Sequence, residues 1–132
     1  MLLTRASEYA LLSLDAIRKT EKPVGAEQLA NELNIPKSFL AKIMQNLAKE
    51  GILESRKGAQ GGFILAKKLE EITLYSIIVA AEGKPPAVLD CTHYIDSCPN
   101  GSIGTCSISP FLYRFQNKID LFLNNLTLKD IL

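Results

Sequence analysis

Ile35-Pro36-Lys37-Ser38-Phe39-Leu40-Ala41-Lys42-Ile43-Met44-Gln45-Asn46-Leu47 is the stretch that decides the fold. Asn34, Ile35 and Pro36 interrupt whatever precedes them. Pro36 then stands in the first turn of a new helix, where its missing N–H costs nothing and its fixed φ suits the helical backbone. Leu40, Ile43, Met44 and Leu47 recur at the interval of one buried stripe. The other face presents Lys37, Ser38, Ala41, Lys42 and Gln45. Gly51 stops the helix soon after Lys49.

Working outward, residues 26–33 form a short preceding helix with Leu29, Ala30 and Leu33 inward, and Glu21 to Gly25 form a turn. Residues 3–20 read as a first helix with Thr4 as its N-cap and Tyr9, Leu12, Leu14 and Ile17 on its apolar face. Downstream, the two apolar runs within 52–66 flank a basic, Gly-rich tip, the pattern of a β-hairpin. Residues 73–82 form a mostly buried helix capped near Thr73. Three helices with a tight turn between the second and third, followed by a hairpin, make a winged helix-turn-helix. The expected fold is therefore mainly α with a small β-hairpin wing, followed by a long C-terminal dimerisation helix. The expected organisation is a DNA-binding unit over 1–83, a cysteine-rich loop over 84–108, and the dimerisation helix with its tail over 109–132.

Ser109 and Pro110 start that last helix as cap and first residue. It carries Leu112, Phe115, Ile119, Phe122, Leu123 and Leu126. So rich a stripe exceeds what a domain of this size can cover, so a homodimer is expected.

A recognition helix enters the major groove by its N-terminal turns, so Lys37, Ser38, Ala41 and Lys42 are the candidate readers, with Gln45 one turn further on. Lys can reach guanine acceptors, and the Ala41 methyl can meet thymine. Arg56, Lys57 and Gln60 stand at the hairpin tip among Gly58, Gly61 and Gly62. Basic side chains on such a tip suit the minor groove, and glycines would let the backbone approach it closely.

The 132 residues carry a net charge of +1, and residues 1–70 hold eleven Lys/Arg against eight Asp/Glu. Residues 71–132 hold four against six, a mild basic bias toward the front. The apolar run near Ile77 to Ala81 is far too short to span a bilayer. The opening residues lack the order of a signal peptide, so a cytoplasmic location is expected.

Cys91, Cys98 and Cys106 are the only cysteines, and they fall in one polar loop. An odd number in a reducing compartment argues against a disulfide framework. The spacings, C-x6-C and C-x7-C, lack the tight knuckle of structural zinc sites and suit a larger object such as an iron–sulfur cluster. His93, two residues after Cys91, is a further possible ligand.

The opening Met1-Leu2-Leu3-Thr4 with Glu8-Tyr9-Ala10-Leu11, the Ile35–Met44 segment, the Lys57–Phe63 wing, the cysteine loop and the closing Phe122–Leu128 segment together resemble the Rrf-type family of bacterial winged-helix transcriptional regulators. The resemblance covers nearly the whole chain. It implies a homodimer that binds a palindromic operator, with the long last helix as the dimer interface. Among cluster-binding members three loop cysteines hold the cluster, and Cys91, Cys98 and Cys106 match them in order, at slightly longer intervals. One branch adds a His three residues after the third Cys; here that position is Ser109. Another adds a carboxylate from the partner's first helix, and Glu8 stands at the matching position. The carboxylate branch points toward 4Fe–4S over 2Fe–2S, and nitric oxide, redox state and iron–sulfur supply are the signals implied.

The expected function is a regulator, a repressor by preference, whose operator binding is gated by that cluster. Two alternatives stand beside it: a cluster-free regulator of the same fold controlled by thiol oxidation or a protein partner, and a zinc-stabilised protein-binding adaptor. An enzyme is not expected, because no nucleophile–base pair, phosphate loop or carboxylate dyad is recognisable.

Overall fold

The computed structural model describes residues 3–89, 91, 98, 101 and 105–132. The order is α1 (Arg5–Arg18), α2 (Ala26–Leu33), α3 (Lys37–Lys49), β1 (Leu53–Arg56), β2 (Gly62–Leu65), a 3-10 turn (Leu69–Glu71), α4 (Leu74–Glu82), α5 (Ser109–Asn125) and α6 (Leu128–Ile131). This is the expected winged helix-turn-helix with a long helix appended.

Each helix end has a local cause. Thr4 caps α1 by accepting from the Ala6 N–H, and Thr73 caps α4 by accepting from the Ser76 N–H. Asn34 ends α2 in the left-handed conformation (φ 55°) and Gly83 ends α4 likewise (φ 75°), which returns an N–H to an open carbonyl. The first helix is two residues shorter at each end than its periodicity implied. At α5 the residue before the helix is Ile108, not Ser109, and it makes no side-chain cap bond, with Pro110 still in the first turn.

One core joins α1, α2, α3 and β1: Leu14, Leu29, Leu40, Met44, Leu47 and Ile52 are among its buried members. The α3 stripe is buried as its spacing required. Helix α4 is largely apolar and serves two cores. Its Ile77 and Ala80 belong to the main one, while Leu74 and Ile78 meet Leu123 of α5 in a smaller cluster.

The wing is more than a hairpin. Strands β1 and β2 pair antiparallel from Leu53 opposite Leu65 to Arg56 opposite Gly62. Val24, which lies in the predicted turn after α1, exchanges both backbone hydrogen bonds with Phe63, at 3.0 and 2.8 Å. The wing is thereby tied to the loop before α2.

After α5 the chain turns back. Thr127 bridges Thr73, the Leu74 N–H donates to Leu126 O at 2.8 Å, and the Leu128 N–H donates to Ile72 O at 2.9 Å. Leu128 is fully buried in the main core. Thr127 and Asp130 form a capping box that starts α6, an element absent from the sequence reading.

Candidate nucleic-acid interface and cysteine segment

Once Leu40, Ile43, Met44 and Leu47 turn inward, α3 must show its other face to solvent. Lys37, Ser38, Lys42 and Gln45 are exposed and Ala41 is half-buried. The structure therefore brings the predicted readers onto one surface. Phe39 is also exposed there, its ring edge-on to Tyr9 of α1 with centroids 5.6 Å apart. Arg56, Lys57 and Gln60 are exposed at the wing.

Of the four candidate cations, Lys37, Lys42, Arg56 and Lys57, two already have carboxylate partners. Lys37 Nζ donates to Glu27 Oε1 of α2 at 2.7 Å, and Arg56 Nε lies 3.2 Å from Glu54 Oε1. The hydrogen bond from Lys37, and then its charge, hold the Glu27 carboxyl below the usual carboxylate range. Neither acidic partner was singled out in sequence. Both pairs are solvated, so they contribute little to stability. Lys42 and Lys57 make no ion pair among the described residues.

The wing glycines serve the fold as much as any groove. A Cβ on Gly61 would lie 2.3 Å from Arg56 O, and one on Gly62 (φ 151°) would lie 2.5 Å from the Val24 carbonyl carbon. Both positions are filled by this chain's own backbone. Only at Gly58 (φ 109°) does the tip open onto free space.

Cys91, Cys98 and Cys106 are each half-buried and none is in a disulfide. The Cys98 carbonyl accepts from the Gly101 N–H at 3.1 Å, and the Cys106 carbonyl accepts from the Ser109 N–H at 3.3 Å, so each opens a tight turn. Among the described residues no three His, Cys, Asp or Glu side chains are gathered as a metal site. The donor set nonetheless fits a soft metal centre in its chemistry: three thiols, partly shielded. His93 lies outside the described residues. Glu8 stands on the exposed side of α1 in an ion pair with Arg5. It borders an open hollow of about 620 Å³ with Leu3, Thr4, Leu11 and Leu12.

Two buried polar arrangements frame this segment, and neither was read from sequence. The Glu82 carboxylate, at the end of α4, accepts from the Thr4 and Ser7 hydroxyls, the latter at 2.8 Å. It thereby places a negative charge at the N-terminus of α1, where the helix dipole favours it. Gln116, only 2% exposed on α5, bonds the backbone of the linker at Pro86 and Val88. The spacing of α5 showed a stripe of apolar residues but gave no cue that the Gln inside it would face inward.

A reading helix of this shape beside a basic wing defines a winged-helix DNA-binding protein. Residues 3–132 match the Rrf2 family, described as an iron-dependent transcriptional regulator. The chain is 30% identical over 133 residues to a provisionally named HTH-type transcriptional regulator of Aquifex aeolicus, covering 100% of this chain and 92% of that one. It is equally 30% identical, over 134 residues, to the HTH-type transcriptional regulator NsrR of Halalkalibacterium halodurans, covering 100% and 90%. Its fold is similar to that of CymR, the global cysteine regulator of B. subtilis, with a TM-score of 0.70, 24% identity, and coverage of 99% of this chain and 95% of that one. The chain belongs to the Rrf2 family of transcriptional regulators, whose members bind DNA. Its relatives are named as regulators and not as enzymes, so the adaptor reading gives way. No helix among the described residues is long and apolar enough to cross a membrane.

Proposed function

We propose that this protein is a homodimeric repressor that reads a palindromic operator and whose affinity is set by an iron–sulfur cluster. Lys37, Ser38, Ala41, Lys42 and Gln45 would address the major groove. Arg56, Lys57 and Gln60 would reach the adjoining minor groove. Two copies then read half-sites about one helical turn apart. The second copy would cover the outer face of α5, where Phe111, Phe115 and Phe122 are 56%, 43% and 60% exposed in one stripe. An apolar stripe of that extent on a small domain is characteristic of an interface.

Cys91, Cys98 and Cys106 would hold the cluster, with the partner subunit's Glu8 as the fourth ligand. When bound, the cluster supplies a centre that responds to redox state and nitric oxide. Thiolates from the segment before α5 and a carboxylate from α1 would join the two halves of the dimer that fix the spacing of the reading helices. Small rotations there change operator affinity, because a rigid duplex tolerates one spacing only. To serve, Glu8 must leave Arg5, an exposed pair that is cheap to open.

The observation that carries this reading is the set of three half-buried thiols, none in a disulfide, between α4 and the uncovered helix α5. The test is protein purified without oxygen. Visible absorption should accompany matching iron and acid-labile sulfide, all lost in Cys98→Ala. Colourless protein that cannot be reconstituted would refute the cluster and leave thiol oxidation as the switch.

A further inference from the structure

Gln116 sits within the apolar stripe of α5, where a buried amide is costly unless every polar atom is bonded. Here it is. Its Oε1 accepts from the Val88 N–H at 2.8 Å, and its Nε2 donates to Pro86 O at 2.9 Å and to Asp120 Oδ1 at 2.8 Å. A backbone N–H can only donate and a carbonyl or carboxylate oxygen can only accept, so Val88, Pro86 and Asp120 together decide which end of the amide is the donor. The oxygen is thereby aimed at Val88. An amide is suited to this place, because it accepts at one atom and donates from another. Glu would lose the donor and face Asp120 as a like charge, and Leu would lose both bonds to the backbone.

The position of the clamp matters. Val88 is three residues before Cys91. At the other end of the cysteine segment, Cys106 is bonded to Ser109 in the first turn of the same helix. Both ends of the segment are therefore pinned to α5, one by a side chain seven residues into the helix and one by its first turn. Loop-closure entropy rises slowly with length, so the clamp acts through the direction it imposes on the chain at Cys91 and not by shortening the loop.

We propose that Gln116 is the positioning residue of the cysteine segment, fixing the course of the chain into Cys91 against α5. The use of that segment rests on the function proposed above, while the clamp itself is testable on metal-free protein. The experiment compares wild type with Gln116→Leu, first checking helicity and melting. It then follows the alkylation of each cysteine by iodoacetamide under reducing, anaerobic conditions, by peptide mass spectrometry, together with amide hydrogen exchange at Val88. In the folded variant, Cys91 should react roughly tenfold faster relative to Cys106, the factor expected on losing about one net buried hydrogen bond. Val88 exchange should quicken alongside. An unchanged Cys91-to-Cys106 ratio with unchanged Val88 exchange would overturn the proposal. Should Gln116→Leu not fold, Gln116→Met keeps the length of the side chain but removes both backbone bonds; a ratio that stays at the wild-type value there would equally refute it. Cluster loading is read separately, so protein that binds no iron yet shows the Cys91 effect would count against the cluster alone and support the clamp.

Discussion

The reading half of the molecule and the cysteine half are held by different means. In α2, α3 and the wing, apolar stripes at regular intervals meet in one core, and backbone pairing joins the strands to each other and to Val24. Ahead of Cys91 the chain is held by a side chain from afar: Gln116 reaches back 28 residues to Val88. The described part of α5 buries only Gln116 and Leu123 and leaves an aromatic stripe outside. On the function proposed above, the reader would be joined to a half that a second copy completes, as a switchable regulator requires. The groove demands fixed geometry, whereas a sensor demands an element that can take two arrangements.

The sharpest way to break this contrast is Leu128→Ala. Leu128 is fully buried in the reading half although it follows α5 in the chain. Its truncation should cost about 2–5 kcal/mol, measured by urea unfolding. Loss of stability should appear in the α1 to α4 core and at α5 in a single transition.

Next in size is Phe122→Glu on the outer face of α5. Analytical ultracentrifugation should show a dimer at least about tenfold weaker, about 1.4 kcal/mol, with melting of the monomer little changed. A dimer of unaltered strength would move the interface elsewhere.

Glu27→Gln tests the reading face alone. It leaves Lys37 without its carboxylate, so binding to a mixed-sequence duplex should lose about three- to fourfold more affinity per chain between 50 and 200 mM salt than wild type does. An unchanged salt slope would mean that Lys37 does not approach phosphate.

The smallest effect concerns Asp130. The Thr127 backbone N–H, then its hydroxyl, hold its carboxyl below the ordinary range. A group depressed in the folded state stabilises it above the unfolded pKa, near 3.9, and loses that contribution as pH falls through the folded value. Asp130→Asn should therefore melt slightly lower at neutral pH, with the difference closing in acid below about pH 4. A difference that persists in acid would show that the cap does not depend on the charge.

Local spacing was enough for the winged helix. The run from Leu40 to Leu47, the break at Asn34 and the cap at Thr73 each act over a few residues, and the structure keeps them all. The candidate DNA readers followed, because a helix with one buried face has only one other to offer. The cysteines and Glu8 were recognisable as residue types, but their surroundings were not. Gly61 and Gly62 were read as room for a groove, yet Val24 and Arg56 lie against them. Ser7 was unremarked until Glu82 arrived from α4, 75 residues away. Gln116 has no mark in the apolar spacing of α5, and the closing residues read as a tail. Each of these depends on which distant segments meet once the core has closed. Periodicity reports the face a residue occupies, whereas a partner 28 or 75 residues away is chosen by packing of the whole chain.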